Sequence, residues 1–125
     1  MIDREKIIQN YIDGYNEFDT DKMIADFGDE IVFENIQNSE VNMTLTGLNE
    51  FKEQAEKAKS YFSKRSQVIT VFNHFESKTE IEIAYCAVLA MDFPNGMKRG
   101  QELNLKGKSV FEFLDNKIIK LSDVS

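Results

Sequence analysis

The sequence is poor in residues that would commit it to several common chemistries. In 125 residues it holds one cysteine, one proline, one histidine and no tryptophan. The lone Cys86 excludes an intrachain disulfide and a thiolate zinc cluster; within AYCAVLA it is expected to be a buried, inert thiol. With only His74 beside it, a transition metal lacks a ligand set, so no metal is expected. No glycine-rich phosphate loop, Walker pattern or nucleophile elbow occurs, and no cofactor is expected. Basic residues are outnumbered, 15 Lys and Arg against 22 Asp and Glu, for a net charge of −7. That charge repels phosphate backbones and anionic lipid surfaces, which argues against nucleic acid and membrane partners. No apolar run approaches the roughly 20 residues that span a bilayer. The opening MIDREKIIQN carries charges where a secretory signal needs an apolar stretch, so a cytoplasmic location is expected.

What is present describes one small globular domain over residues 1–125. Hydrophobic residues make up 42% and charged residues 30%, ordinary globular proportions that leave enough apolar surface for one core. Ten Phe and four Tyr supply rings to wall a core or a pocket.

Periodicity divides the chain. A helix is expected over about 3–17, with Asp3 as its N-cap and Ile7, Ile8, Tyr11, Ile12 and Tyr15 on one apolar face. Gly14 inside it suggests close approach of another backbone. A second short helix follows Asp19-Thr20-Asp21, buries Met23, Ile24 and Phe27, and stops at Gly28. Strands are expected at 31–37 and 43–45, then a third helix after Gly47 with Leu48, Phe51, Ala55, Ala58 and Phe62 as its buried stripe. Four long strands follow, at about 65–76, 79–92, 101–114 and 117–124, with Pro94-Asn95-Gly96 and Asp115-Asn116 as turns.

Alternation in the long strands is informative. In 101–114, Leu103, Leu105, Ser109, Phe111 and Phe113 share a face. Strand 79–92 is apolar on both faces, with Ile81, Ile83, Tyr85 and Leu89 opposite Ala84, Cys86 and Val88. A strand apolar on both faces is covered on both sides, and a chain this short can barely supply the second cover. A homodimer through the outer face of the sheet is therefore expected. In strand 65–76 the inward set is open between Val68, Thr70, Phe72, His74 and Ile69, Val71, Asn73, Phe75.

Three stretches, QNYIDGYNEFDTDKM, IVFENI and KSVFEFLDNKIIKLSDV, together with the element order, resemble the NTF2-like superfamily, which includes ketosteroid isomerases and SnoaL-like polyketide cyclases. The resemblance implies an α+β cone, cystatin-like, with three helices packed on a strongly curved, mainly antiparallel sheet around an apolar pocket. Tyr11 falls where the isomerases carry an oxyanion-hole tyrosine, Asn35 where they carry the base, and Ser109 near their second oxyanion donor. Asn35 cannot accept a proton at neutral pH, so the usual isomerase base is absent. The segment Lys117–Asp123 is similar to a cyclase K-I-x-x-x-x-D pattern whose aspartate is the acid/base group; Leu121 and Ser122 replace its His and Trp.

The expected site therefore has Asp123 and Tyr11 as catalytic groups, with Tyr15, Asn35 and Ser109 orienting a ligand and Phe33, Tyr85, Leu105 and Phe111 as walls. Its ligand would be small, apolar and oxygen-bearing, handled by cyclase, isomerase or lyase chemistry beside a carbonyl. For several of these residues a plainer role stands alongside. Tyr11 and Tyr15 suit a core, Asn35 can satisfy local backbone, His74 can be structural, and Asp123 sits in the last three residues, where chains fray. The rival function is a non-catalytic dimeric binding or interaction module.

Overall fold

Asp3 caps the first helix as its side chain accepts from the Lys6 amide at 3.2 Å, and α1 runs Arg4–Asn16. The computed structural model describes residues 3–125. Asp19 caps α2, Thr20–Ile24, in the same way through the Lys22 amide. A Cβ on Gly14 would lie 2.7 Å from the Met23 amide nitrogen, so the glycine does serve close approach, that of α1 onto α2.

Strand β1, Phe27–Gln37, starts four residues earlier than expected. Gly28 therefore lies inside a strand and stops no helix, while Phe27 is buried from the strand instead. β2 is Glu40–Thr46, α3 is Leu48–Ala58, and a 3₁₀ turn at Lys59–Tyr61 leads into β3, Phe62–His74. Phe62 thus opens a strand and is not part of the helical stripe. β4 is Lys78–Leu89, β5 is Glu102–Leu114 and β6 is Lys117–Val124.

The six strands form one sheet in the order β2-β1-β6-β5-β4-β3. All pairings are antiparallel except β1 with β6. The last strand therefore lies inside the sheet. The chain end is held further as Ser125 donates to the Ile36 carbonyl at 2.9 Å and accepts from the Asn38 amide at 3.2 Å. Asp123 is for that reason not frayed.

The helices cover one face. Ile8, Ile12, Phe27, Ile31, Phe51, Ile81, Phe111, Ile118 and Leu121 form the core between them and the sheet. Phe27 meets Tyr11 at 5.6 Å and Phe51 at 4.9 Å between ring centroids. The other face carries Val68, Val71, Ala84, Cys86 and Val88, and nothing among the described residues covers Cys86. The cysteine is exposed, contrary to expectation, and its thiol donates to Asn104 Oδ1 at 3.1 Å.

Strand β3 resolves its own ambiguity in a way neither alternation describes. Ile69 faces Ile83 and Val71 faces Glu82, so Thr70 is an extra residue. This bulge switches the inward set from odd to even numbers: Arg65, Gln67 and Ile69, then Phe72 and His74.

Candidate functional site

The register of the sheet assembles the site. Ser109 faces Asp123 across β5–β6, Asp123 faces Asn35 across β6–β1, and Asn35 faces Met43 across β1–β2. Four strands thus place one lateral row of side chains on the inner face. Ser109 Oγ donates to Asp123 Oδ1 at 2.7 Å. Asn35 Nδ2 donates to Asn42 Oδ1 at 2.8 Å, and Asn42 in turn donates to Gln37 Oε1 at 3.1 Å. Asn35 accordingly has a local partner and also borders the interior space.

That space consists of two adjoining hollows. One, of about 230 Å³, is bordered by Tyr85, Gln67, Ile83 and the β5 segment 105–109. The other, of about 200 Å³, lies under α1 and α3, bordered by Tyr11, Met23, Phe33, Leu45, Phe51, Ala55 and Arg65. Tyr15, Asn35 and Asp123 border both. Gly107 borders the first, and a Cβ there would come into van der Waals contact with the Val124 carbonyl at 3.4 Å.

Asp123 is the chemically distinctive group. Burial raises its pKa from 3.8 to about 6, against the hydrogen bond from Ser109, which lowers it. The residue keeps partial solvent access and borders both hollows, so the surrounding protein desolvates the carboxyl without sealing it off. Near neutral pH it can both take and return a proton.

Tyr11 is 6% exposed, stacked on Phe27 and edge-on to Phe111 at 5.6 Å. Burial raises its pKa well above the usual phenol value; the Asp123 charge adds to the rise and Arg65 opposes it. It stays a neutral donor within the electrostatic reach of both. Tyr15 and Tyr85 share a hydrogen bond, hydroxyl to hydroxyl, at 2.8 Å. Burial raises both pKa values, so this pair also stays protonated.

Two expected wall residues are placed differently. Phe111 is fully buried beneath Tyr11 in the packed core and borders neither hollow. Leu105 is 55% exposed and forms only the outer rim of the larger hollow, because β5 there extends beyond the cover of the helices. Phe33 and Tyr85 do border the hollows. His74 lies elsewhere: Nδ1 pairs with Thr79 Oγ1 at 2.9 Å and Nε2 with Glu5 Oε2 at 2.6 Å, tying β3 to the start of α1.

Arg65 is the residue that alternation missed. It is 6% exposed, lies over the Tyr15 ring at 3.9 Å, and its Nε donates to the Tyr15 carbonyl at 2.8 Å. A charged residue at the start of a strand with open facing carries no inward signal; only the bulge at Thr70, which fixes the odd positions inward, reveals it. Among the described residues, no group of three or more His, Cys, Asp or Glu side chains could hold a metal ion, and no helix is long and apolar enough to cross a membrane.

No protein-family profile matches this chain, and no curated protein sequence matches it. Solved structures do. A proposed polyketide cyclase from Xanthomonas campestris pv. campestris superposes with a TM-score of 0.79 at 17% identity, over 97% of this chain and 88% of that one. A proposed SnoaL-like polyketide cyclase from Jannaschia sp. CCS1 gives 0.79 at 11% identity, over 95% and 82%. An NTF2-like protein of unknown function from Burkholderia pseudomallei gives 0.79 at 11% identity, over 98% and 90%. The chain has the NTF2-like fold, an α+β architecture that its solved neighbours share with SnoaL-like polyketide cyclases.

Proposed function

We propose that this protein binds a small, largely apolar carbonyl compound in the paired hollows and moves a proton at the carbon next to the carbonyl. This is chemistry of the isomerase, lyase or SnoaL-like cyclase kind. The observation that carries the proposal is Asp123: a carboxyl held near pKa 6 by burial, fixed by Ser109, at the junction of both hollows. Asp123 acts as the base and then as the acid. Tyr11, a neutral phenol bordering the same hollow, donates to the enolate oxygen that forms. Tyr15 and Asn35 orient the ligand, with Phe33 as a wall.

Solvent deuterium incorporation tests this. A panel of small aryl and alkyl ketones is incubated in deuterated buffer and exchange at the α-carbon is followed by mass spectrometry. The wild-type rate is expected to rise with pH through about 6, as Asp123 ionises, and to fall at least 100-fold in Asp123→Asn. Equal rates for the two proteins on every ketone that binds would refute the catalytic reading.

The size of the hollows favours a second reading. About 200 and 230 Å³ are each below the usual 300–1,000 Å³ of ligand pockets, which suits a non-catalytic binding module with a very small ligand. Ligand binding without exchange is its signature. A second copy on the outer sheet face, where Val68 is 58% and Val71 38% exposed, belongs to both readings. Sedimentation of the wild type against Val68→Lys checks it: a dimer that the variant abolishes is expected.

A further inference from the structure

The two arginines nearest the core are used very differently. Arg4 spends its guanidinium on the chain itself: Nη1 donates to the carbonyls of Phe75 at 2.6 Å and Lys78 at 3.2 Å, and Nη2 to that of Glu76 at 2.5 Å. Arg65 is 6% exposed and makes one hydrogen bond among the described residues, from Nε to the Tyr15 carbonyl. Its Nη2 is buried and has no partner among them. The Tyr15 and Phe18 rings lie 3.9 and 4.3 Å from the guanidinium carbon, so the plane is fixed by stacking while the outer N–H groups stay uncommitted.

A buried cation with free donors is costly unless an anion meets it. None of the ion pairs among the described residues includes Arg65, although the chain as a whole carries an excess of carboxylates. Arg65 also borders the hollow that Asp123 and Tyr11 border. We propose that the Arg65 guanidinium is an anion subsite of this hollow, so that the natural ligand is a carboxylate with a small apolar body. The apolar body is set by Met23, Phe33, Leu45 and Phe51, which face the same space. The geometry of a planar fork fits a carboxylate, which accepts two parallel N–H bonds. Arg65, Tyr11 and Asp123 all border this hollow, so one ligand can be held by its carboxylate at Arg65 and present a carbon to Asp123. The inference rests on the hollow being a ligand site and adds the charge of the ligand.

Matched probes test it on the full chain at pH 7. Benzoate and its neutral counterpart benzamide are titrated while the Arg65 Nε–H and Tyr11 signals are followed by NMR. Benzoate is expected to bind at least 10-fold more tightly and to shift the Arg65 Nε–H signal, which benzamide leaves in place. Arg65→Met is expected to erase the preference of benzoate over benzamide, and Arg65→Lys to keep part of it. The wild-type signal decides alone if Arg65→Met does not fold. Equal affinities, with both probes shifting Tyr11, would overturn the anion subsite and leave the hollow as a ligand site. If neither probe moves Tyr11 or Arg65, the ligand site and the subsite fall together.

Discussion

Two neighbouring rows on the inner face of one sheet have opposite character. The row Thr79, Phe111, Leu121, Phe33 and Leu45 is mostly solid: Thr79, Phe111 and Leu121 have no exposed surface. The next row, Ile81, Ser109, Asp123, Asn35 and Met43, is two residues away along each strand, about 7 Å. It carries the polar groups and opens into the hollows. The same backbone serves both rows; the side chains, and the helix residues packed over them, decide which end is filled. The packed row gives the sheet its stability, and that stability allows the next row to keep a desolvated carboxyl.

The largest expected effect breaks the packed row. Phe111→Ala removes a ring with no exposed surface and is expected to cost about 3–5 kcal/mol in urea unfolding. Phe33→Ala, on a wall that already faces empty space, is expected to cost less, about 1–2 kcal/mol. Equal losses would mean that the hollow is closed in solution.

Asp123 gives the second largest effect, and its sign is opposite. Its folded pKa, about 6, lies above the ordinary 3.8. The folded state therefore binds the proton more tightly, so this contribution is full below about pH 4 and is lost as pH rises through 6. Asp123→Asn should flatten that slope and be more stable than the wild type at pH 8 by roughly 2–3 kcal/mol, read from thermal or urea unfolding at both pH values. Ser109→Ala, the smallest effect, should cost about 1 kcal/mol and move the Asp123 midpoint upward, because the hydrogen bond it deletes favours the charged carboxylate.

Most of the fold was legible because caps and alternation are local signals. Asp3 and Asp19 cap the helices they were expected to cap, and the four long strands lie within a few residues of their expected ranges. The inward side of β5 followed from strict alternation as far as Ser109, Phe111 and Phe113. What was not legible depends on non-local facts. The bulge at Thr70 reverses the facing of β3, and it decides both that Arg65 points inward and that Val68 points out. Which inward residues meet packing and which meet space depends on where α1 and α3 end above the sheet. Phe111 and Leu105, on one face of one strand, consequently fall on opposite sides of the division, one buried and one at the rim. Cys86 looked buried because its neighbours are apolar, yet it lies on the face the helices do not reach.

The state of one carboxyl group decides whether the polar row is a site or only a gap in the packing. Carbon-13 NMR of the side-chain carboxyls, with Asp123 assigned by its loss in Asp123→Asn, measures it directly across pH 3–9. A midpoint near 6 is the predicted result. A midpoint near 3.8 would mean that water reaches the group freely, and the proton-transfer chemistry built on it would have no foundation.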